Sequence, residues 1–187
     1  MLKINEVVPD FKTRAYHDGK FIDVSLSDYK GKWVTVVFYP ADFTFVCPTE
    51  LEDLQKLYSE FQKNNAEILS VSKDTEFVHK AWHDNSPAIG TIEYPMLADP
   101  TGKLCKMFGT YDETDGLSLR GTFLISPEGV LKTIEIHNND IGRSAKELLR
   151  KVQAAKFVAE NDGQVCPASW EPGDDTLTPG EDLVGKI

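Results

Sequence analysis

The sequence predicts an α/β sandwich with a mixed central sheet flanked by helices. Three observations carry this reading. Trp33-Val34-Thr35-Val36-Val37-Phe38-Tyr39 is a continuous β-branched and aromatic run, the pattern of a strand buried on both faces. Leu51, Leu54, Tyr58 and Phe61 then recur at helical spacing, and Glu67-Ile68-Leu69-Ser70-Val71-Ser72 follows as a second strand. Strand, helix and strand in that order make a βαβ unit, with a right-handed crossover expected.

The remaining elements follow in order. Phe11–Tyr16 and Lys20–Val24 flank the turn signal His17-Asp18-Gly19 and predict an N-terminal hairpin. Ser27–Lys32 is a loop into the first buried strand. The helix after that strand runs from Pro48 to about Lys63, with Pro48 at a first-turn position where a missing N–H costs nothing. Asp74 is the expected N-cap of a helix through Phe77, Val78 and Trp82, closed by Ser86-Pro87. Tyr94–Leu97 is a short extended piece, and Thr101–Phe108 a short helix ended by Gly109. Arg120–Ile125 and Val130–His137 form an antiparallel pair across the turn Ser126-Pro127-Glu128-Gly129. Ser144-Ala145-Lys146-Glu147 reads as a capping box opening a helix with Leu148, Val152, Ala155 and Ala159 on one face. Beyond Asn161, Gly163, Pro167, Pro172, Gly173, Pro179 and Gly180 exclude one long regular element. This order reads as a thioredoxin-like fold: a domain over residues 1–160, then an irregular C-terminal tail over residues 161–187.

Composition bounds the function. The 187 residues suit one domain, and 41% hydrophobic with 27% charged residues is ordinary for a globular protein. A net charge of −10 argues against nucleic acid, whose phosphates need clustered Lys and Arg. No stretch approaches a membrane span, and Met1-Leu2-Lys3-Ile4-Asn5-Glu6 lacks an apolar signal region, so a cytoplasmic location is expected. Three cysteines, Cys47, Cys105 and Cys166, are too few for a disulfide framework, and no Cys-x-x-Cys occurs.

Cys47 stands out because it lies where a buried strand gives way to a helix. Free N–H groups and the positive end of the helix dipole favour a thiolate there. An ordinary cysteine thiol, with a pKa of ~8.5, is only a few per cent ionised near pH 7. Ionising roughly nine-tenths of it takes about 3.4 kcal/mol, and a helix N-terminus supplies about 2 kcal/mol at most. A cationic partner is therefore required. Arg120, at the start of a strand, has an always-charged guanidinium with several donors, but arginines are common at strand starts and a surface position is its plain reading from the residues alone.

Pro40-x-x-x-Thr44-x-x-Cys47 matches the peroxiredoxin signature. The likeness continues through Ser70–Asp74, His79–Trp82, Ala98–Gly102, Leu119–Phe123, Ile141–Arg143, Val165–Ala168 and Asp182–Ile187, so it covers essentially the whole chain. The sequence is similar to the typical two-cysteine peroxiredoxins, and among them to the bacterial peroxidase subunits of alkyl hydroperoxide reductase. The resemblance implies a thiol peroxidase that reduces hydrogen peroxide and organic hydroperoxides, with no metal, haem or flavin in this chain. Cys47 would become a sulfenic acid. Cys166, in the mobile tail, would resolve it as a disulfide, which the resemblance places between two chains. Arg120 would hold both thiolate and peroxide, Thr44 would contact the peroxide, and Pro40 would shield the site. Glu50 and Arg143 would orient Arg120. The implied partners are a disulfide reductase, either the flavoprotein subunit of alkyl hydroperoxide reductase or thioredoxin, and a second copy of the chain joined along Ile134-Glu135-Ile136. Five such dimers would close a decamer through Phe43, Phe77, Val78 and Trp82.

The other signals read as structural. Leu104, Met107 and Phe108 beside Cys105 predict a buried, inert thiol. His79 and His83 are spaced i, i+4 but lack a third metal ligand, and a surface or partly buried position is expected for both. The alternative function is a ring-forming holdase chaperone, for which Trp82, Trp170 and the interface residues would serve. A thioredoxin-type disulfide reductase is disfavoured by the missing Cys-x-x-Cys. The family's overoxidation-prone members carry a Gly-Gly-Leu-Gly loop and a C-terminal Tyr-Phe. Here the loop reads Asp115-Gly116-Leu117-Ser118, no Tyr-Phe follows, and a weakly packed tail is expected.

Overall fold

A computed structural model describes residues 2–186. Met1, the first residue of the stretch read for a signal, and Ile187, the last of the Asp182–Ile187 string, lie outside the described residues. Seven strands form one mixed sheet in the order β2-β1-β5-β4-β3-β6-β7. They are β1 (Lys12–His17), β2 (Lys20–Ser25), β3 (Trp33–Phe38), β4 (Ala66–Ser72), β5 (Met96–Ala98), β6 (Arg120–Ile125) and β7 (Leu131–His137). The central pairs β3–β4 and β4–β5 are parallel, while β3–β6 and β6–β7 are antiparallel. The hairpin is more than an N-terminal addition: β1 pairs antiparallel with β5, through Ala15 with Leu97 and Tyr16 with Met96, and so extends the sheet.

Strand periodicity sorts the core into two halves. Trp33 and Val37 of β3 point to a cluster with Leu51, Leu54, Phe61, Trp82, Leu148 and Val152. Val34, Val36 and Phe38 point to the other, with Phe108, Phe123, Leu104 and Cys105. All six residues of β3 are buried, as the apolar run predicted.

The helices depart from the sequence reading in instructive ways. The helix expected over residues 48–63 is two, α1 (Cys47–Lys56) and α2 (Tyr58–Lys63), broken at Leu57 where ψ is 2°. Leu51, Leu54, Tyr58 and Phe61 all stay buried across the break, so the apolar stripe did not reveal it. The helix α3 (Glu76–Asn85) starts after Thr75, not Asp74. The Asp74 carboxylate instead accepts from the Asp42 N–H at 2.8 Å and the Ser72 hydroxyl at 2.7 Å. The short helix α4 (Lys103–Phe108) lies between Gly102 and Gly109, both left-handed. In α5 (Ala145–Glu160), Ser144 accepts from the Glu147 N–H, but the Glu147 carboxylate turns to Arg150, so the box is half made. The apolar face ends early in this chain: Leu148, Leu149 and Val152 are buried, whereas Ala159 is exposed. Among the described residues, no helix is long and apolar enough to cross a membrane.

Candidate active site

Cys47 opens α1 directly beyond the C-terminal end of β3, and its side chain is 0% exposed. The strand ends because Pro40 cannot extend the ladder, and the chain crosses residues 41–46 before turning into the helix. Phe43 adopts a φ of 55°, a costly conformation for a bulky residue. Several bonds hold this loop. Asp42 is buried and accepts from the Tyr39 hydroxyl at 2.8 Å and from His79 Nδ1 at 2.7 Å. His79 Nε2 faces the Leu97 carbonyl at 3.1 Å. Burial pushes the Asp42 carboxyl up, and the His79 hydrogen bond opposes that push.

His79 is therefore a fully buried brace, contrary to the surface or partly buried position expected. His83 is engaged elsewhere, by the Tyr16 hydroxyl at 3.4 Å and the Ile92 carbonyl at 3.3 Å. Sequence reasoning missed Tyr39, Asp42 and Asp74 as loop braces. The only signal for His79 was its three-residue spacing to Trp82, which puts both on the core side of α3.

The charged part of the site comes from three elements. Arg120, first residue of β6, sends Nη1 to Cys47 Sγ at 3.4 Å and to Glu50 Oε2 at 2.8 Å, while its Nε donates to the Asn139 carbonyl at 2.9 Å. Glu50, one turn into α1, takes a fork from Arg143, Nε at 2.9 Å and Nη2 at 3.0 Å, plus the Arg143 backbone N–H at 2.7 Å. Arg143 Nη1 also donates to the Gly121 carbonyl at 2.8 Å and the Thr122 hydroxyl at 3.0 Å. Gly121 has to stay small, since a Cβ there would lie 2.4 Å from Thr110 Cγ2. Burial pushes the Glu50 carboxyl up, but the Arg143 bonds and charge, with Arg120 behind them, hold it below the ordinary range.

Two guanidinium groups against one carboxylate leave a buried charge of +1, with the Cys47 sulfur beside it. A thiolate would neutralise that charge, whereas a thiol leaves it uncompensated, which is costly in a dry interior.

The remaining expected residues are more dispersed. Pro40 is buried beside the strand end. The Thr44 hydroxyl donates to the Ala41 carbonyl at 2.9 Å, so its oxygen lone pairs remain free to accept. Cys166 is not with Cys47: it lies half-buried in a 420 Å³ cavity lined by Trp33, Lys132, Ala154 and Val158 among others. Trp33 begins β3 and Cys47 follows its end, and a six-residue strand spans roughly 17 Å. Cys105 is buried, and burial together with the Asp99 charge pushes its thiol up to about 12, in keeping with an inert role. Of the ring residues, Phe43 and Phe77 are exposed, but Trp82 is buried beneath Phe43 at 5.9 Å between ring centroids. Phe45, which the sequence reading passed over, is 92% exposed two residues before Cys47.

This architecture and charge cluster define a thioredoxin-like protein with a buried cysteine beside an arginine at a strand-to-helix junction. The AhpC/TSA family matches residues 4–134, and the C-terminal domain of 1-Cys peroxiredoxin matches residues 154–186. The chain belongs to the AhpC/TSA family. It is 55% identical over 188 residues to alkyl hydroperoxide reductase C of Amphibacillus xylanus, covering 100% of both chains. It is 53% identical over 182 residues to the protein of that name from Bacillus subtilis, covering 97% of both. Among solved structures it superposes on Enterococcus faecalis AhpC with a TM-score of 0.86 and 53% identity, covering 89% of this chain and 100% of the other. The match to reduced Plasmodium vivax 2-Cys peroxiredoxin has a TM-score of 0.91 at 36% identity, covering 96% and 94%.

Proposed function

We propose that this thiol-dependent peroxidase works through Cys47 as peroxidatic nucleophile and Cys166 as resolving thiol. The observation that carries the reading is the buried +1 cluster of Arg120, Glu50 and Arg143, with Arg120 Nη1 3.4 Å from Cys47 Sγ at the start of α1. Cys47 thiolate attacks the terminal oxygen of a hydroperoxide. The S–O bond forms as the O–O bond breaks, and the alcohol or water leaves with a proton. Arg120 Nη2 is the donor for the peroxide, since Nε and Nη1 are already engaged. The Thr44 hydroxyl, whose hydrogen goes to Ala41, accepts a hydrogen bond from the peroxide O–H, whose proton leaves with the alcohol or water. Pro40 walls off water.

Cys166 then attacks the Cys47 sulfenic acid. The S–S bond forms, and the sulfenic oxygen leaves as water with the thiol proton. The disulfide joins two copies. Its support is the placement of the two cysteines toward opposite ends of β3 within one chain. The pairing of copies is supported by β7, an edge strand carrying half-buried Ile134, Glu135 and Ile136. Exposed Phe43 and Phe77, with Val78 and the underlying Trp82, are the contacts through which five dimers form a decamer. Residues 1–160 serve as the peroxidase domain and residues 161–187 as the tail that delivers Cys166. Two electrons from a disulfide reductase, the flavoprotein subunit of alkyl hydroperoxide reductase or thioredoxin, complete the cycle in the cytoplasm. The test is peroxide consumption by the purified chain with each reductant system, beside Cys47→Ser. Wild-type turnover in that variant would rule out the assignment of Cys47.

A further inference from the structure

The tail is held on α5 by a contact set that the peroxidase chemistry does not use. Arg150 is fixed by Glu147, Nε to Oε2 at 2.7 Å and Nη2 to Oε1 at 2.9 Å. Its remaining arm, Nη1, donates to the Trp170 carbonyl at 3.1 Å. Trp170 is 3% exposed, stacks against Phe157 at 5.0 Å between centroids, and donates its indole N–H to the Asp174 carbonyl. Val165 and Leu177 bridge, closing residues 165–177 into a loop. Cys166 Sγ lies 3.8 Å from the Ala154 carbonyl, one turn along α5 from Arg150, and shares a cavity with it.

We propose that Arg150 is a positioning residue for the resolving half-reaction: it clamps the Cys166-bearing loop to α5 through the Trp170 carbonyl, with Glu147 holding the guanidinium in register. This rests on reading Cys166 as the resolving thiol. The clamp uses all three faces of the guanidinium fork, two on Glu147 and one on the tail, which an ammonium cannot reproduce. Freeing Cys166 requires the Arg150 bond to break and Trp170 to leave its site together, so the clamp sets how often the thiol is released. The charged groups lining the cavity are Lys132 from β7 and Arg150 and Lys151 from α5. Burial pushes the Cys166 thiol up, and the Arg150 charge opposes it.

The test uses the full-length reduced protein without peroxide, as wild type, Arg150→Met, Arg150→Lys and Glu147→Gln. Hydrogen exchange of residues 165–177 and alkylation of Cys166 by iodoacetamide across pH are both read by mass spectrometry. Arg150→Met is expected to quicken exchange in 165–177 about tenfold, the scale of one charged hydrogen bond, with α5 still protected, and to move the alkylation midpoint to higher pH. Arg150→Lys should restore the midpoint while exchange stays fast, and Glu147→Gln should quicken exchange to a smaller extent. Unchanged exchange in Arg150→Met, exchange quickened equally throughout α5, or Arg150→Lys matching wild type in exchange would each overturn the clamp. Since no peroxide is present, these outcomes are separate from the fate of the Cys47 assignment, which Cys47→Ser tests.

Discussion

Around Cys47, three buried charged side chains, from the start of β6, from α1 and from the loop before α5, converge within hydrogen-bond distance through Glu50; around Cys166, one partly exposed arginine and one indole hold a loop to the outside of a helix. The charge cluster of the first region is over-determined: Glu50 takes four bonds and Arg120 three, so Glu50 keeps partners after the loss of any one bond. The second depends on few contacts, and its accessory ion pair Lys146–Glu171 is exposed and worth little. A held nucleophile and a separate, releasable partner suit the two-thiol cycle proposed here, in which one sulfur meets peroxide in fixed geometry and the other travels.

The largest effect expected from breaking this contrast is at the rigid end. Cys47→Ser should lower peroxide turnover by at least about 10⁴-fold, the scale of losing a nucleophile, while circular dichroism and thermal midpoint stay close to wild type. Cys166→Ser should still be oxidised once at a normal rate but should not turn over with a disulfide-specific reductase. Oxidised wild type should run as a covalent dimer on non-reducing gels, and a Cys47–Cys166 peptide found only within single chains would refute the pairing between copies.

Glu50→Gln attacks the over-determination itself. It leaves two buried guanidinium groups without their shared anion and should cost about 3 kcal/mol of stability, measured as a denaturant midpoint. Because the Glu50 pKa is depressed in the folded state, its contribution is present above the ordinary carboxylate range and is lost as pH falls through the folded value. Stability of the wild type should therefore drop on acidification below about pH 4.5 more steeply than that of Glu50→Gln. Equal acid limbs for the two proteins would mean that Glu50 carries no such linkage. Arg120→Lys keeps the charge but loses the fork, so the peroxide rate should fall by about 10²-fold. Alkylation of Cys47 by iodoacetamide, which needs only the thiolate, should fall much less. Equal losses in the two rates would reduce Arg120 to a point charge.

The two regions also differ in how far the sequence revealed them. The Cys47 junction was legible because local rules coincide there: an unbroken apolar run, a proline suited to a first helical turn, and a charge requirement that called for a distant cation. Arg120 and Arg143 lie 70 and 93 residues beyond Glu50 along the chain, and the family resemblance, not any periodicity, named them together. The Asp42–His79 brace was not legible, because a histidine on an apolar helix face looks the same whether it meets water or a buried carboxylate. The breakers in the tail correctly excluded a long helix, yet they also suggested loose packing throughout. Trp170 overrides that locally, since one buried indole with a matched carbonyl outweighs the composition around it. The break at Leu57 was hidden for the reverse reason: the apolar stripe continues through it.

The smallest effect concerns overoxidation, where the two regions compete in time. In the proposed cycle, a Cys47 sulfenic acid either meets Cys166 or meets a second peroxide, and the second path ends in sulfinic acid. Between Cys166 and Lys186 the tail has only one short 3-10 turn, Glu181–Leu183, and no Tyr-Phe pair. The loop Asp115–Ser118 folds back on itself through the Tyr111–Ser118 bridge. Besides the Trp170 anchor, the tail is held by an exposed ion pair, Lys146–Glu171, and the Val165–Leu177 bridge, so release of Cys166 should be quick compared with sulfinic acid formation. With reductant in excess, wild-type Cys47 should stay largely free of sulfinic acid as peroxide rises. Trp170→Ala, which removes the anchor and about 3–5 kcal/mol of packing, should reduce overoxidation further. Mass spectrometry of the Cys47 peptide during turnover reads both. Sulfinic acid building up at low peroxide in the wild type, and falling sharply in Trp170→Ala, would show that the docked tail is slow to release and that the Trp170 anchor governs the competition; sulfinic acid rising in Trp170→Ala would show that docking delivers Cys166 rather than delaying it.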